Sequence, residues 1–109
     1  MSKYIIITLS LLAMNTAIAS DMGIQKECYR YTYLKSSLNQ TTAEKSCQRI
    51  NNKYALACSK MTIAYLHKEN QKNLLASCSK IKTEKALTCV IRNAIQAKSD
   101  HAQKISKCS

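Results

Sequence analysis

Six cysteines in a short chain constrain its fold more than any other feature of the sequence. The chain has 109 residues, and its cysteines are Cys28, Cys47, Cys58, Cys78, Cys89 and Cys108. Four of them frame a repeated stretch: SCQRINNKYALAC at residues 46–58 returns 31 positions later as SCSKIKTEKALTC at residues 77–89. An even number of cysteines is typical of the disulfide framework of a small exported protein, so we expect three disulfides.

The N-terminal residues indicate export. A short basic start precedes an apolar run over residues 4–13, and Ala17-Ile18-Ala19 has the small-x-small pattern of a cleavage site. This layout is typical of a secretory signal peptide, and the apolar run is too short to favour an uncleaved membrane anchor. We therefore expect residues 1–19 to be removed and residues 20–109 to form one domain. The mature protein is expected in the periplasm or outside the cell.

The composition of the mature part predicts helices. Residues 20–109 contain no proline, a single glycine and many Ala, Leu, Lys, Gln and Glu residues, which favour helix. Polar clusters near residues 36–41, 67–71 and 98–100 predict the loops between helices. Softer breaks are expected inside the repeated stretch, at Asn51-Asn52 in the first copy and at Thr83 in the second.

The repeat predicts an architecture. The two copies share Ser, Cys, Ile, Ala, Leu and Cys at equivalent positions, and Cys28 and Cys108 indicate half-copies on either side. A single helix pair cannot bury its apolar face alone, whereas stacked pairs can. We expect a small all-α, disulfide-stapled repeat of helical hairpins, with about two 31-residue copies and flanking helices.

Three disulfide pairings are compatible with the spacing. A local scheme closes the repeated stretch, with the pairs Cys47–Cys58, Cys78–Cys89 and Cys28–Cys108. A serial scheme closes the polar loops, with the pairs Cys28–Cys47, Cys58–Cys78 and Cys89–Cys108. A concentric scheme has the pairs Cys28–Cys108, Cys47–Cys89 and Cys58–Cys78. An unbroken helix would hold Cys47 and Cys58 about 16 Å apart, beyond disulfide reach. Because we expect a break at Asn52, the local scheme is favoured and the serial scheme comes next.

Individual residues predict where some helices begin. Thr41-Thr42-Ala43-Glu44 has the pattern of a capping box, and Asp100 is a candidate N-cap. The alternating residues 29–33 are assigned to a helix, because no partner strand is present.

The only aromatic residues of the mature part are Tyr29, Tyr31, Tyr33, Tyr54 and Tyr65. Because no larger side chain is present, we expect them to fill the core rather than to stack on bases or sugars.

The charge of the mature part points to anionic partners. Without Lys3 the chain has 17 − 1 = 16 basic and 6 acidic residues, a net charge of +10. Such a charge attracts polyanions, so we expect an exported binding module for an acidic protein or an anionic cell-envelope polymer. The candidate contact residues surround the repeated turns: Arg49, Lys53, Lys80, Lys82 and Lys85. The alternative is a membrane-active cationic toxin or antimicrobial protein that acts on an anionic membrane surface. No specific nucleic-acid target is predicted.

The sequence contains few residues suited to catalysis. Ser99-Asp100-His101 are consecutive and cannot adopt the geometry of a catalytic triad, so we assign them to a helix cap and first turn. His67 and Glu69 share a polar loop, which we expect to be solvated rather than to bind a metal. If all six cysteines form disulfides, no nucleophilic thiol remains. We therefore expect no enzyme, no metal and no cofactor.

Overall fold

The computed structural model describes residues 23–109, and the expected signal peptide over residues 1–19 lies outside them. Within the described residues every regular element is a helix, in agreement with the expected all-α class. Helix α1 covers residues 23–35. The other helices are α2 (Gln40–Cys47), α3 (Lys53–Tyr65), α4 (Gln71–Cys78), α5 (Glu84–Cys89) and α6 (His101–Cys108), and one π-helical turn, Val90–Ala94, continues α5.

Short polar side chains determine where four of the helices begin. The caps of α2 to α5 are Asn39, Asn52, Asn70 and Thr83, and the side-chain oxygen of each accepts a hydrogen bond from the backbone of the first turn. The predicted breaks inside both copies of the repeated stretch are thus confirmed. The predicted capping box is wrong, because Asn39 already caps α2 two residues before Thr41.

The cap at Asn52 can be tested directly. Its Oδ1 accepts hydrogen bonds from the backbone N–H groups of Tyr54 and Ala55, at 2.9 and 3.0 Å. Asn52→Ala is expected to lower the free energy of unfolding by about 1 kcal/mol, measured by urea denaturation. The control is Asn51→Ala, at an exposed neighbour outside the cap, with an expected change below about 0.5 kcal/mol. Equal losses in the two variants would contradict the role of the cap.

Helix α6 begins in a different way. Asp100 occupies the N-cap position, as predicted, but its backbone is left-handed, with φ 56° and ψ 40°. Its side chain makes no cap hydrogen bond. Among residues other than glycine, Asp and Asn tolerate this conformation best, because their short polar side chains can bond locally.

Three disulfides join consecutive helices in pairs and correct the favoured connectivity. Cys28–Cys47 joins α1 to α2, Cys58–Cys78 joins α3 to α4, and Cys89–Cys108 joins α5 to α6. This is the serial scheme, and the local scheme is wrong. The helices do break at Asn52 and Thr83, but the turns at residues 48–52 and 79–83 connect one disulfide-closed pair to the next. The two cysteines that frame each copy therefore belong to different pairs.

The helices are arranged so that the two turns, residues 48–52 and 79–83, lie close to each other. Helix α4 contacts α2, α3 and α6, and α3 also contacts α5. Helix α1 reaches α3 through a 2.9 Å contact between Glu27 Oε1 and Lys60 Nζ. Residues of the two turns line one cleft, whereas residues of the loops 66–70 and 95–100 line another.

Aliphatic side chains and cystines form the core. Ile50 and Ile81 occupy the same position in the two copies, and both are fully buried in their turns. The other fully buried aliphatic side chains are Ile63, Leu74, Leu75, Val90 and Ile105. The disulfides Cys28–Cys47 and Cys58–Cys78 are buried among them, whereas Cys89 and Cys108 are partly exposed.

The tyrosines divide into two groups. Tyr29, Tyr31 and Tyr54 are partly buried and pack against the core, as expected. Tyr33 and Tyr65 are 49% and 70% exposed, so the expectation of core filling is wrong for these two. They lie near the C-terminal ends of α1 and α3, and the core is instead closed by isoleucine and leucine.

Candidate functional site

A cleft with basic lining separates the two turns. It has a volume of about 600 Å³ and is lined by Gln48, Arg49, Asn51, Ser79, Lys80, Lys82 and Ser109. Residues 48, 49 and 51 stand 31 positions before residues 79, 80 and 82. Equivalent positions of the two copies therefore lie opposite each other, with the basic residues Arg49 and Lys80 among them.

A groove between α2 and α4 meets this cleft. It has a volume of about 450 Å³ and is lined by Thr41, Thr42, Lys45, Ser46, Gln48, Arg49, Lys72 and Ala76. Gln48 and Arg49 line both depressions, so that groove and cleft form one continuous surface. We call it the basic surface and define it by its five cations, Lys45, Arg49, Lys72, Lys80 and Lys82.

The cations of the basic surface form no ion pair with the acidic side chains of the described residues. Among residues 23–109, no acidic side chain lines the groove or the cleft, and none of the five cations is in an ion pair. Glu44 lines an adjoining depression that shares Gln48, and the other acidic residues of this part of the chain lie elsewhere: Glu27, Glu69, Glu84 and Asp100. The positive potentials of the five cations therefore add.

Three of the five predicted contact residues come together in the structure. Arg49, Lys80 and Lys82 line the cleft. Lys53 does not line it; it is the first residue of α3, and its Nζ lies 5.2 Å from the ring centroid of Tyr54. Lys85 lies in α5 and lines a separate depression.

Two cations of the basic surface were not predicted from the sequence. Lys45 lies four residues before Arg49, and this helical spacing was a signal that could have identified it. Lys72 had no comparable signal, because its position beside Arg49 depends on the packing of α4 against α2.

Some of these cations also lie beside helix ends. Helices α2 and α4 end at Cys47 and Cys78, where the helix dipole places partial negative charge. Arg49 and Lys80 follow these ends at the same distance along the chain. Such a contact contributes about 0.3–1 kcal/mol to stability, so a variant at either position must be tested for folding as well as for binding.

A buried histidine, His101, lies where α4 and α6 begin, outside the basic surface. The His101 ring is 7% exposed, and its Nε2 donates a hydrogen bond to the Ala97 carbonyl at 2.8 Å. Its Nδ1 lies 3.0 Å from Glu69 Oε1, although the direction of approach is poor for a hydrogen bond. His101 is thus part of the contact between the loop 66–70 and α6, which the sequence did not indicate.

Residues 23–109 contain no group of three or more His, Cys, Asp or Glu side chains arranged to hold a metal ion. In the same part of the chain, no helix has both the length and the apolar character needed to cross a membrane. The three intramolecular disulfides are compatible with an exported protein.

The pKa of the Glu27 carboxyl is lowered by two neighbouring cations, Lys60 and Arg30. The carboxylate accepts hydrogen bonds from Lys60 Nζ at 2.9 Å and from Arg30 Nη2 at 3.0 Å. The hydrogen bond and charge of Lys60, with a smaller contribution from Arg30, hold the pKa of Glu27 below its ordinary value. This contact joins α1 to α3.

The lowered pKa of Glu27 predicts a pH dependence of stability. A carboxylate with a depressed pKa in the folded state stabilises the protein above its unfolded pKa and loses this effect as the pH falls through its folded pKa. Glu27→Gln is therefore expected to weaken stability slightly at neutral pH and to flatten its decline in acid. Urea midpoints measured between neutral and acidic pH would show this. Glu44→Gln is the matched control, and parallel curves for the wild type and Glu27→Gln would contradict the assignment.

Comparison with known proteins adds no assignment. A scan against protein-family models finds no match, and neither do searches of curated proteins and of solved structures. The role of the protein is therefore inferred from the basic surface itself.

Proposed function

We propose that the mature chain, residues 20–109, is an exported binding module for an acidic partner, either an acidic protein or an anionic polymer of the cell envelope. The observation that carries this proposal is the basic surface. Its five cations line two joined depressions that have no acidic side chain among their lining residues. Cations grouped in a concave surface reinforce one another's fields and raise the local concentration of anions.

The proposed role is binding rather than catalysis. The lining of the basic surface consists of cationic, hydroxyl and amide side chains with one alanine, and includes no His, Cys, Asp or Glu. General acid–base catalysis most often uses one of these residue types. The lining thus supports recognition of charge and no particular reaction.

We also infer that the three disulfide-closed helix pairs are copies of one unit. The bonded cysteines are separated by 19, 20 and 19 residues along the chain. Ile50 and Ile81 are buried at the same position of successive copies, and residues 31 positions apart line the same cleft. Stacked and stapled units present a preformed surface, so that little conformational entropy is lost on binding.

Binding to simple polyanions tests the proposed function. The oxidised protein is titrated into fluorescently labelled polyglutamate and into labelled inorganic polyphosphate, at low and at high salt. We expect at least one of them to bind at low salt and to dissociate as salt rises, because the contacts are between charges. If neither polyanion binds at about 50 mM salt, where screening is weak, the proposed function is wrong.

A membrane-active role is the second candidate, and exposed apolar side chains favour it. Leu34 and Tyr65 are 67% and 70% exposed, and they stand 31 positions apart near the C-terminal ends of α1 and α3. Such side chains can insert at a membrane interface when cations attract the protein to anionic lipid. Dye release from phosphatidylglycerol vesicles would support this role, and intact vesicles would exclude it.

A further inference from the structure

Many hydrogen-bond donors on the basic surface are free. Within the described residues, none of its five cations makes a side-chain hydrogen bond, although such bonds occur throughout the rest of the fold. Five hydroxyl or amide side chains in the same lining also make none: Thr41, Thr42, Ser46, Gln48 and Asn51. The surface thus presents charge and neutral donors together.

This lining differs from that of a protein-binding face. Its one apolar side chain is Ala76, and it contains no aromatic residue. Stable protein–protein interfaces depend on a buried cluster of apolar, aromatic and arginine side chains, surrounded by a polar rim. The basic surface has the composition of a rim without such a centre, which favours small oxyanion groups over the side of a folded protein.

The shape of the surface favours a chain of anions over a single ion. The groove follows α2 from Thr41 to Gln48, about 10 Å at the rise of an α-helix. It then continues through Arg49 into the cleft that contains Lys80 and Lys82. Cations therefore follow one another along a bent path, and a linear polymer can contact several of them at once.

The donors fit phosphate better than carboxylate. An internal phosphate of a linear polymer presents bridging oxygens beside its two charged oxygens, whereas a carboxylate has only two oxygens, and arginine can bind the two charged ones at once. Hydroxyl and amide side chains commonly supply additional hydrogen bonds to phosphate oxygens. No aromatic side chain is available in the lining for stacking on a nucleotide base.

We propose that the basic surface binds a linear phosphate-bearing polymer through its phosphate groups alone, with Arg49 shared between the groove and the cleft. This inference rests on the proposed binding of an acidic partner. The inference goes beyond that proposal in three respects: the anion is phosphate, the partner is a linear polymer, and recognition does not depend on any nucleotide base.

Three anionic polymers of matched charge distinguish the proposed phosphate site from the more general proposal of a binding module for an acidic partner. They are inorganic polyphosphate, oligothymidylate and polyglutamate, each titrated into the oxidised protein at several salt concentrations. We expect polyphosphate to bind at least about fivefold more tightly than polyglutamate, because the hydroxyl and amide side chains of the lining can add hydrogen bonds to phosphate oxygens. Equal or tighter binding of polyglutamate would overturn the phosphate assignment and leave the binding module standing. Tighter binding of oligothymidylate than of polyphosphate would overturn recognition through phosphate alone.

Two variants and a matched control locate the site. Arg49→Ala and Lys72→Ala are each expected to weaken polyphosphate binding about fivefold to tenfold and to reduce the salt slope by about 0.7, the value for one phosphate contact on a single strand. Lys53→Ala removes the same charge outside the surface, and we expect a change below about twofold. Lys72 lies in the first turn of α4, away from the C-terminal helix ends where cations contribute to stability, so its variant stays informative if Arg49→Ala affects folding. An equal loss in all three variants would show that net charge alone binds and would overturn the site.

Discussion

The double variant Cys58→Ala/Cys78→Ala is expected to lose about 3–5 kcal/mol of folding free energy. The bond closes a loop of 20 residues, and both of its cysteines are fully buried. Loop closure of this length accounts for about 3 kcal/mol, and the cavity left by two buried sulfur atoms adds to it. Because each kcal/mol lowers the melting temperature of a domain of this size by about 4–8 °C, the melting temperature should fall by roughly 12–40 °C.

A second disulfide variant distinguishes the stabilisation that comes from loop closure from that which comes from buried packing. Cys89→Ala/Cys108→Ala removes a bond with a sequence separation of 19, but both of these cysteines are partly exposed. This variant should lose the stabilisation that comes from loop closure but little of that from buried packing. Its melting temperature should therefore fall less than that of Cys58→Ala/Cys78→Ala. Thermal unfolding followed by circular dichroism gives both values. A larger fall for the Cys89–Cys108 variant, or an unchanged spectrum after full reduction, would contradict this account.

Leu75→Ala is expected to destabilise the protein by about 2–5 kcal/mol. Leu75 is fully buried in α4, the helix that contacts α2, α3 and α6, so no single neighbouring helix can move to fill the space. In a domain of this size the surrounding core is small, and such a cavity leaves little of the total stability. Urea denaturation at constant pH measures the loss.

A second leucine provides the control for Leu75. Leu34 is 67% exposed in α1, and Leu34→Ala removes the same atoms from a site that is already in water. We expect a change within about 0.5 kcal/mol. Similar losses in the two variants would mean that α4 is not the centre of the core.

Local features were predictable from the sequence because they depend on nearby residues. The absence of proline predicted helices, and the polar residues Asn52 and Thr83 marked the ends of the turns. The disulfide pairing, in contrast, depends on contacts between helices that are distant in the sequence. Cys58 lies near the middle of α3 with a break on either side, and only the packing of α3 against α4 selects Cys78 over Cys47.

The basic surface was predictable only in part, because it combines residues that the repeat relates with residues that only the packing brings together. Arg49 and Lys80 are equivalent positions of the two copies, so periodicity alone suggested that they share a role. Lys53 and Lys85 are close to them in sequence, but they begin the next helices and lie outside the cleft. Lys72 is distant in sequence and became a neighbour only through the contact between α2 and α4.

The serial order of the disulfides has a consequence for biogenesis. Each cysteine is bonded to a cysteine next to it in the sequence, so that the three covalent loops follow one another without overlap. In a chain that crosses a membrane N-terminus first, the first two cysteines to emerge are native partners, and the same holds for each later pair. An oxidase that joins thiols in their order of appearance would therefore produce the native bonds, and the protein would have little need of a disulfide isomerase.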